Sequence, residues 1–575
     1  MIVTVLAAAV VVTVLFGGGI LWLRGLTPRW DPRDQVAFAP AFAVLFFAVV
    51  AGVGVLTPWD FQITAVVGMA TWIVGAAVLA WRAFPELLTT LRRARLLVVP
   101  VVLGFMAVAA FGAVQGDPPH TVAFPNTLVS ARVTNLPPDH LFPVGVAQEL
   151  QHGGELEDGR ISNWDLTDRT PLAGAVTAVV LSGSGTTLPS RIIWTYPRAQ
   201  LAPQVHDPHG VWLAHLVLVF LNATVILGVG RLAWSIFGAR AALLAGLVAA
   251  MNPYVFTHVF FTWPKMLAAY FVLVHWLLVR ERRLPLVAGL FAGLAYLAHP
   301  LAGLFVLPTL VVLLVRNMRR GLSAVGATLC VVAPWQVWTA VDAHPSRLLF
   351  YPLGYTIQRP RALGHELSFA WQRFTDAGVG HALRVRWDEI LGSLLPFNAA
   401  RNFATLPAGC DCISAASTWF TIHDRTVPGM ILYALCPFAI YGLIVWWRRA
   451  PWESVWMLVA PFVVALAFWG VAGRGLGADL LQPLGAALLA VAAGGLASVS
   501  RPWRLAGVVL ASIEAATVLW WGLFASAPGA SGLAIAVAAL FWLLPCLLLV
   551  GAATSWLGTV WTDHGTESVP SLPIR

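Results

Sequence analysis

The sequence predicts an all-α polytopic membrane protein, and three observations carry that prediction. Hydrophobic residues make up 59% of the 575 positions and charged ones 11%, a balance far outside that of water-soluble domains. Apolar runs of about 20 residues recur along the chain, the length a helix needs to cross a hydrocarbon core about 30 Å thick with its backbone bonded internally. The basic residues behind the net charge of +9 sit in short loops between those runs. There they read as a topology signal and not as a nucleic-acid surface.

About fifteen spans are legible, near 2–23, 36–57, 61–81, 97–115, 210–230, 238–254, 265–280, 284–298, 300–315, 322–341, 429–447, 454–472, 477–498, 503–524 and 530–551. The first has the apolar character of a signal peptide. No basic region precedes it and no small-residue cleavage site clearly follows, so it counts as a span. Arg24, Arg29 and Arg33, then Arg82, Arg92, Arg93 and Arg95, then Arg280, Arg282 and Arg283 begin a series of basic clusters at every second loop. Arg316, Arg319 and Arg320, then Arg448 and Arg449, then Arg501 and Arg504 continue it. Those loops are expected in the cytoplasm.

Two long hydrophilic segments, 116–209 and 342–428, then face the extracytoplasmic side. Loops of that length have a task or internal structure of their own, so chemistry is expected there. The chain divides into an N-terminal transmembrane module with a basic cytoplasmic loop (1–96, the loop at 82–96) and a transmembrane core (97–341) that carries the first external loop. The second external loop (342–428), a C-terminal transmembrane module (429–552) and a polar cytoplasmic tail (553–575) follow. Of the five cysteines only Cys410 and Cys412 fall in an external loop, and a bridge across that spacing would be strained.

The first external loop contains "PPDHLFPVGVAQELQHGG" (137–154). Asp139 occupies a helix N-cap position there, because the prolines stop what precedes it and Phe142, Val146 and Leu150 follow at helical spacing. Pro143 is tolerated in a first turn, which has no intrahelical donor to lose. The stretch predicts a short amphipathic helix on the outer membrane surface, with Asp139 either a simple cap or a functional acid. Further on, "DRTPL" sets Asp168 and Arg169 just ahead of the apolar run 173–181.

From Asp139 to Leu172 the chain resembles the GT-C superfamily of polyprenyl-phosphate-dependent glycosyltransferases, especially the branch of lipid A aminoarabinose transferases and protein O-mannosyltransferases. In that branch the first external loop opens on an acidic residue, continues through an amphipathic A-x-x-M/L-x-x-G helix and a Trp, and closes on D-K-P-P-L. Here "DHLFPVGVAQELQHGG", Trp164 and "DRTPL" stand in those places. His140 replaces a frequent second acid, Arg169 replaces Lys, Thr170 replaces the first Pro, and three additional spans precede the loop.

The resemblance implies a GT-C-like fold in the bacterial cytoplasmic membrane with the active site facing outward. It implies a polyprenyl-phosphate-linked sugar donor and a lipid or glycan acceptor. Such a transfer needs a base for the acceptor hydroxyl and cations for the departing phosphate. Asp139 fits the first role, with Asp117 in "GDPPH" its rival, and direct displacement would invert the anomeric centre. Arg169 fits the second, since a guanidinium offers a planar fork to phosphate oxygens. His140, Trp164 and Asp168 belong to the same substrate-binding stretch.

Outside that loop, Lys265 is the chain's only lysine and follows Trp263 and Pro264. It reads either as an interfacial anchor or as a second phosphate contact beside His258. His299 in "AHP" lies at another outward turn. In the second loop Arg359 and His365 are candidates for acceptor or donor binding. No cofactor is specified by the sequence and a divalent metal stays open. The "HDPH" group of His206, Asp207 and His209 has metal-friendly residue types without a complete ligand set. The competing class is a membrane transporter or lipid-linked glycan flippase, which would place ionisable residues near the bilayer midplane. The expected spans offer few: His215, His275, Asp479 and Glu514.

Overall fold

A computed structural model describes residues 2–57, 59–115, 142–153, 160–161, 164–165, 169–188, 208–341, 430–468, 481–519 and 532–554, with isolated residues between 368 and 387. Among the described residues the architecture is helical. The single exception is an antiparallel pair of two-residue strands, β1 (Arg160–Ile161) and β2 (Trp164–Asp165).

Helices α1 (Ile2–Val11) and α2 (Gly18–Leu26) run together through a π-helical turn, Val12–Gly17. Helix α3 (Pro32–Leu56) starts on the Asp31 carboxylate, which accepts the Arg33 N–H at 2.8 Å, with Pro32 at the first helical position. Asp60 starts α4 (Phe61–Arg93) in the same way, accepting from Gln62 and Ile63. At 33 residues, α4 is about 50 Å long by its rise per residue. It therefore takes in most of the loop expected over 82–96, because Phe84, Leu87, Leu88 and Leu91 keep the helical period past Pro85. Ala94 alone separates it from α5 (Arg95–Gln115).

Between α5 and the helices of the core lie α6 (Phe142–His152) and α7 (Leu172–Gly183). The core continues with α8 (Pro208–Ala223), α9 (Val225–Phe237), α10 (Ala239–Met251), α11 (Pro253–Phe260), α12 (Lys265–Arg280), α13 (Pro285–Ala298), α14 (Gly303–Arg316) and α15 (Met318–Val341). The C-terminal set is α16 (Cys436–Arg449), α17 (Pro451–Ser454), α18 (Ala460–Phe468), α19 (Gln482–Ser498), α20 (Arg501–Leu519) and α21 (Gly532–Ala553).

The chain is a multi-pass helical membrane protein. Among the described residues six helices are long and apolar enough to cross a bilayer, or seven if the α10–α11 pair, bent by 60°, counts as one span. Among the described residues other apolar helical stretches run 10–17 residues, and three of them begin at a proline, Pro285, Pro300 and Pro451. The segment carrying "NPYVFTHVFFTWPK", expected as a turn, contains α11. Asn252 caps that helix by accepting the Tyr254 and Val255 N–H groups, and its amide holds the Met430 carbonyl at 3.1 Å.

Helix α12 is buried from Lys265 to Val279, against α8, α9, α13 and α19. Its arginine-rich end is tied to a buried ionic cluster. Asp34, wholly buried, accepts Arg231 Nε at 2.9 Å and Nη2 at 2.6 Å, and also Arg283 Nη1. Arg231 Nη2 also reaches Glu281 at 2.6 Å, while Arg280 Nε donates to Glu453 at 2.8 Å. The turn that supplies Glu281 and Arg283 holds Arg282 at φ 54° and Leu284 at φ 30°. Residues in that region cost about 1–3 kcal/mol each, so the strain persists because the ionic contacts over-determine the turn. Arg231 adds an ionisable residue to the few expected within the spans, and the cluster places its charge at one end of the helices.

Candidate functional site

Helix α6 forms where the Phe142, Val146 and Leu150 spacing requires it, with Pro143 in its first turn. It does not lie on the outer surface as its amphipathic pattern suggests. Val144, Ala147, Gln148 and Gln151 are buried along with the expected stripe. Small side chains on its second face let it pack on α7. A Cβ on Gly174 would stand 2.5 Å from Val146 Cβ and 2.6 Å from the Pro143 carbonyl oxygen, so a bare backbone sets that crossing.

The far ends of the two helices are pinned by Gln151. Its amide nitrogen donates to Ser182 Oγ and the Thr186 carbonyl, both at 3.0 Å, and its amide oxygen accepts the Leu188 N–H at 2.8 Å. Gln62 at the start of α4 donates to the Gln151 carbonyl at 3.2 Å. The pair is thus fixed to α4 at one end, and α7 packs on α3, α4, α8 and α13.

At its other end α7 begins from "DRTPL". Pro171 occupies the N-cap position, and its side chain makes no capping bond. Thr170 is buried, and Arg169 lies with its guanidinium carbon 5.9 Å from the centroid of the Trp263 ring. Lys265, at the start of α12, sets its Nζ 3.4 Å from the centroid of the same ring. The His299 ring, at the α13–α14 turn, stands 5.6 Å from Trp263 by centroids. One indole therefore gathers Arg169, Lys265 and His299 from three separate segments.

Lys265 is 3% exposed. A snorkelling anchor keeps its ammonium in water; this one rests on an aromatic face inside the protein. Asn222 of α8 steadies the beginning of α12 by accepting the Leu267 N–H at 3.1 Å. His258 is buried on α11, its Nδ1 3.0 Å from the Tyr254 carbonyl and its ring against that tyrosine. The N-terminal turns of α7 and α12 add partial positive charge to the Arg169 and Lys265 cations. A location of this kind favours an anion rich in hydrogen-bond acceptors.

Asp117, Asp139, His140, Asp168, His206, Asp207, Arg359, His365, Cys410, Cys412 and Asp479 lie outside the described residues. Trp164 contributes its backbone to β2, opposite Ile161. Among the described residues no three His, Cys, Asp or Glu side chains converge as a metal-binding group. His275 is a packed core residue, bonded to the Ala288 carbonyl at 2.8 Å and to Thr309 at 2.5 Å. His215 packs tilted against Trp212 and edge-on to Phe260. Glu514 accepts the Tyr433 and Ala434 N–H groups just ahead of α16.

Two features escape sequence reasoning. Trp263 is legible as an interfacial aromatic, but its role as a shared platform is a tertiary fact. The Asp34–Arg231 pair joins residues 197 positions apart, and its one sequence signal is an arginine inside an apolar run. No protein-family model, curated protein or solved structure matches the chain.

Proposed function

We propose that the protein is an integral membrane glycosyltransferase of the GT-C type, with about fifteen spans, in the bacterial cytoplasmic membrane. It moves a sugar from a polyprenyl-phosphate donor to a lipid or glycan acceptor of the cell envelope, on the face opposite the arginine-rich loops. The observation that carries this reading is the meeting of Arg169 and Lys265 on the Trp263 indole. Those are the two cations whose residue types and sequence context suit a departing phosphate.

In this reaction Asp139 takes the proton of the acceptor hydroxyl as its oxygen attacks the anomeric carbon. The bond from that carbon to the phosphate oxygen breaks, and the sugar is delivered with inversion. Arg169 and Lys265 offset the charge that grows on the phosphate, and they do so in a site where burial keeps the electrostatic interaction strong. His140, Trp164, Asp168, His258 and His299 shape the surroundings, and Arg359 and His365 of the second loop serve acceptor or donor binding. Asp117 is the alternative base.

A transporter or glycan flippase is the rival reading. The buried Asp34 and Arg231 and the half-buried Glu281 weigh against it, because both carboxylates pair with Arg231 at one end of the helices. The test uses membranes containing the protein and a set of radiolabelled polyprenyl-phosphate sugars. Label passing into an envelope acceptor is the expected result. Movement of intact lipid-linked sugar across the bilayer, with no new glycosidic bond, would favour the rival.

A further inference from the structure

At the start of α7 a buried hydroxyl adjoins a cation and a helix whose N-cap is a proline. Thr170 is 4% exposed, and its Oγ1 has no hydrogen-bond partner among the described residues. Leaving a buried hydroxyl unpaired is costly, so such a group calls for an explanation. Thr170 precedes Pro171, the N-cap of the twelve-residue α7, and a proline side chain has no acceptor to offer the first turn. Leu172 and Ala173 of its first turn are buried as well. The N–H groups of a buried first turn need acceptors, and Pro171 supplies none from its side chain.

The adjoining group is Arg169, on the indole that also carries Lys265. The hydroxyl, the first-turn N–H groups and the guanidinium are all able to donate. A ligand that complements them accepts hydrogen bonds from every side, which describes a phosphate better than a sugar ring with its mixed donors and acceptors.

We infer that the Thr170 hydroxyl and the first turn of α7 complete the lipid-phosphate site by donating to the phosphate that Arg169 and Lys265 attract. This rests on the donor reading above and adds a specificity-determining residue to it. Where a proline occupies this position, as in the D-K-P-P-L pattern that "DRTPL" resembles, the side chain has no donor to offer. The threonine thus gives this chain a contact of its own.

The test compares wild type, Thr170→Val and Thr170→Ser as purified full-length proteins, with farnesyl phosphate as the probe and farnesol as its phosphate-free control. Affinity is read by thermal shift across a titration. A hydrogen bond to a charged group predicts that Thr170→Val raises the Kd for farnesyl phosphate about tenfold or more, while Thr170→Ser stays close to wild type. Farnesol binding is unchanged in both. Without ligand, Thr170→Val has a Tm equal to or above that of wild type, because no internal bond is lost.

Equal affinity of wild type and Thr170→Val for farnesyl phosphate would overturn the inference. So would an equal weakening toward farnesol, or a lower ligand-free Tm, since each assigns the threonine to packing or to an internal bond. A wild-type protein with no affinity for farnesyl phosphate refutes the donor reading itself, and the inference falls with it. The two failures are separate, because only the second appears in the wild type.

Discussion

The ammonium of Lys265 stands 3.4 Å from the centroid of the Trp263 ring, buried at the first residue of α12. A desolvated cation–π contact of this kind is worth about 2 kcal/mol. It holds the ammonium against an aromatic face inside the protein. The same indole carries Arg169, from the loop that also contains α6 and α7.

Replacing Lys265 with Met keeps the stem and removes the charge. Truncating one partner of a buried charged contact costs about 2–5 kcal/mol, so sugar transfer should fall by at least about 30-fold. The Tm in detergent should fall somewhat, because the contact with Trp263 is lost. Transfer assays in membranes, paired with thermal unfolding of the purified variant, check both parts. Activity close to wild type in a folded Lys265→Met protein would remove this residue from the phosphate site.

Arg169 provides a planar fork where a Lys would provide a point charge. Arg169→Lys is therefore expected to retain part of the transfer activity, with its loss mainly in KM for the donor, and Arg169→Ala to lose more. Steady-state kinetics with a polyprenyl-phosphate sugar separate these outcomes. Identical losses in the two variants would show that charge at this position is not what matters.

The Asp34–Arg231 pair makes a stability prediction at the opposite end of the molecule. Arg231→Met leaves the buried Asp34 carboxylate with fewer partners, and breaking such a pair costs about 3–5 kcal/mol. Denaturant unfolding of Arg231→Met, Asp34→Asn and the double variant should show strong non-additivity, because Asp34 accepts two hydrogen bonds from Arg231. Additive losses would mean that the two side chains act independently.

Gly174 sets the approach of α6 to α7. In Gly174→Ala the new methyl meets Val146 and the Pro143 carbonyl at less than ordinary contact distance. Overpacking of this sort costs about 1–3 kcal/mol. The Tm should drop, and the α6–α7 loop should become more open to limited proteolysis. An unchanged Tm together with unchanged proteolysis would show that the crossing can relax.

Much of the helical architecture is legible in the chain because lipid leaves helices as the backbone's main way to satisfy itself, and Asp31, Asp60 and Asn252 mark helix starts by their type. Helix α6 is legible too, from the repeat of Phe142, Val146 and Leu150. Its burial is not, because what covers it is fixed by a missing side chain on Gly174. The extent of α4 is obscured by Pro85 and the arginines, which read as a loop until the run of Phe84, Leu87, Leu88 and Leu91 is seen to continue the helix. Arg169 and Lys265 stand out by residue type, one through the "DRTPL" stretch and the other as the chain's only lysine. That a single indole unites them depends on the residues just ahead of α7 meeting those just ahead of α12, a long-range contact with no local signature.

The central claim is tested most directly by Asp139→Asn, assayed in membranes for transfer of a labelled sugar from a polyprenyl-phosphate donor, with Asp117→Asn alongside. Asparagine keeps the shape of the side chain and cannot take the acceptor's proton. The account predicts near-complete loss of transfer in Asp139→Asn, with donor binding retained and Asp117→Asn still active. Full transfer by Asp139→Asn would contradict it.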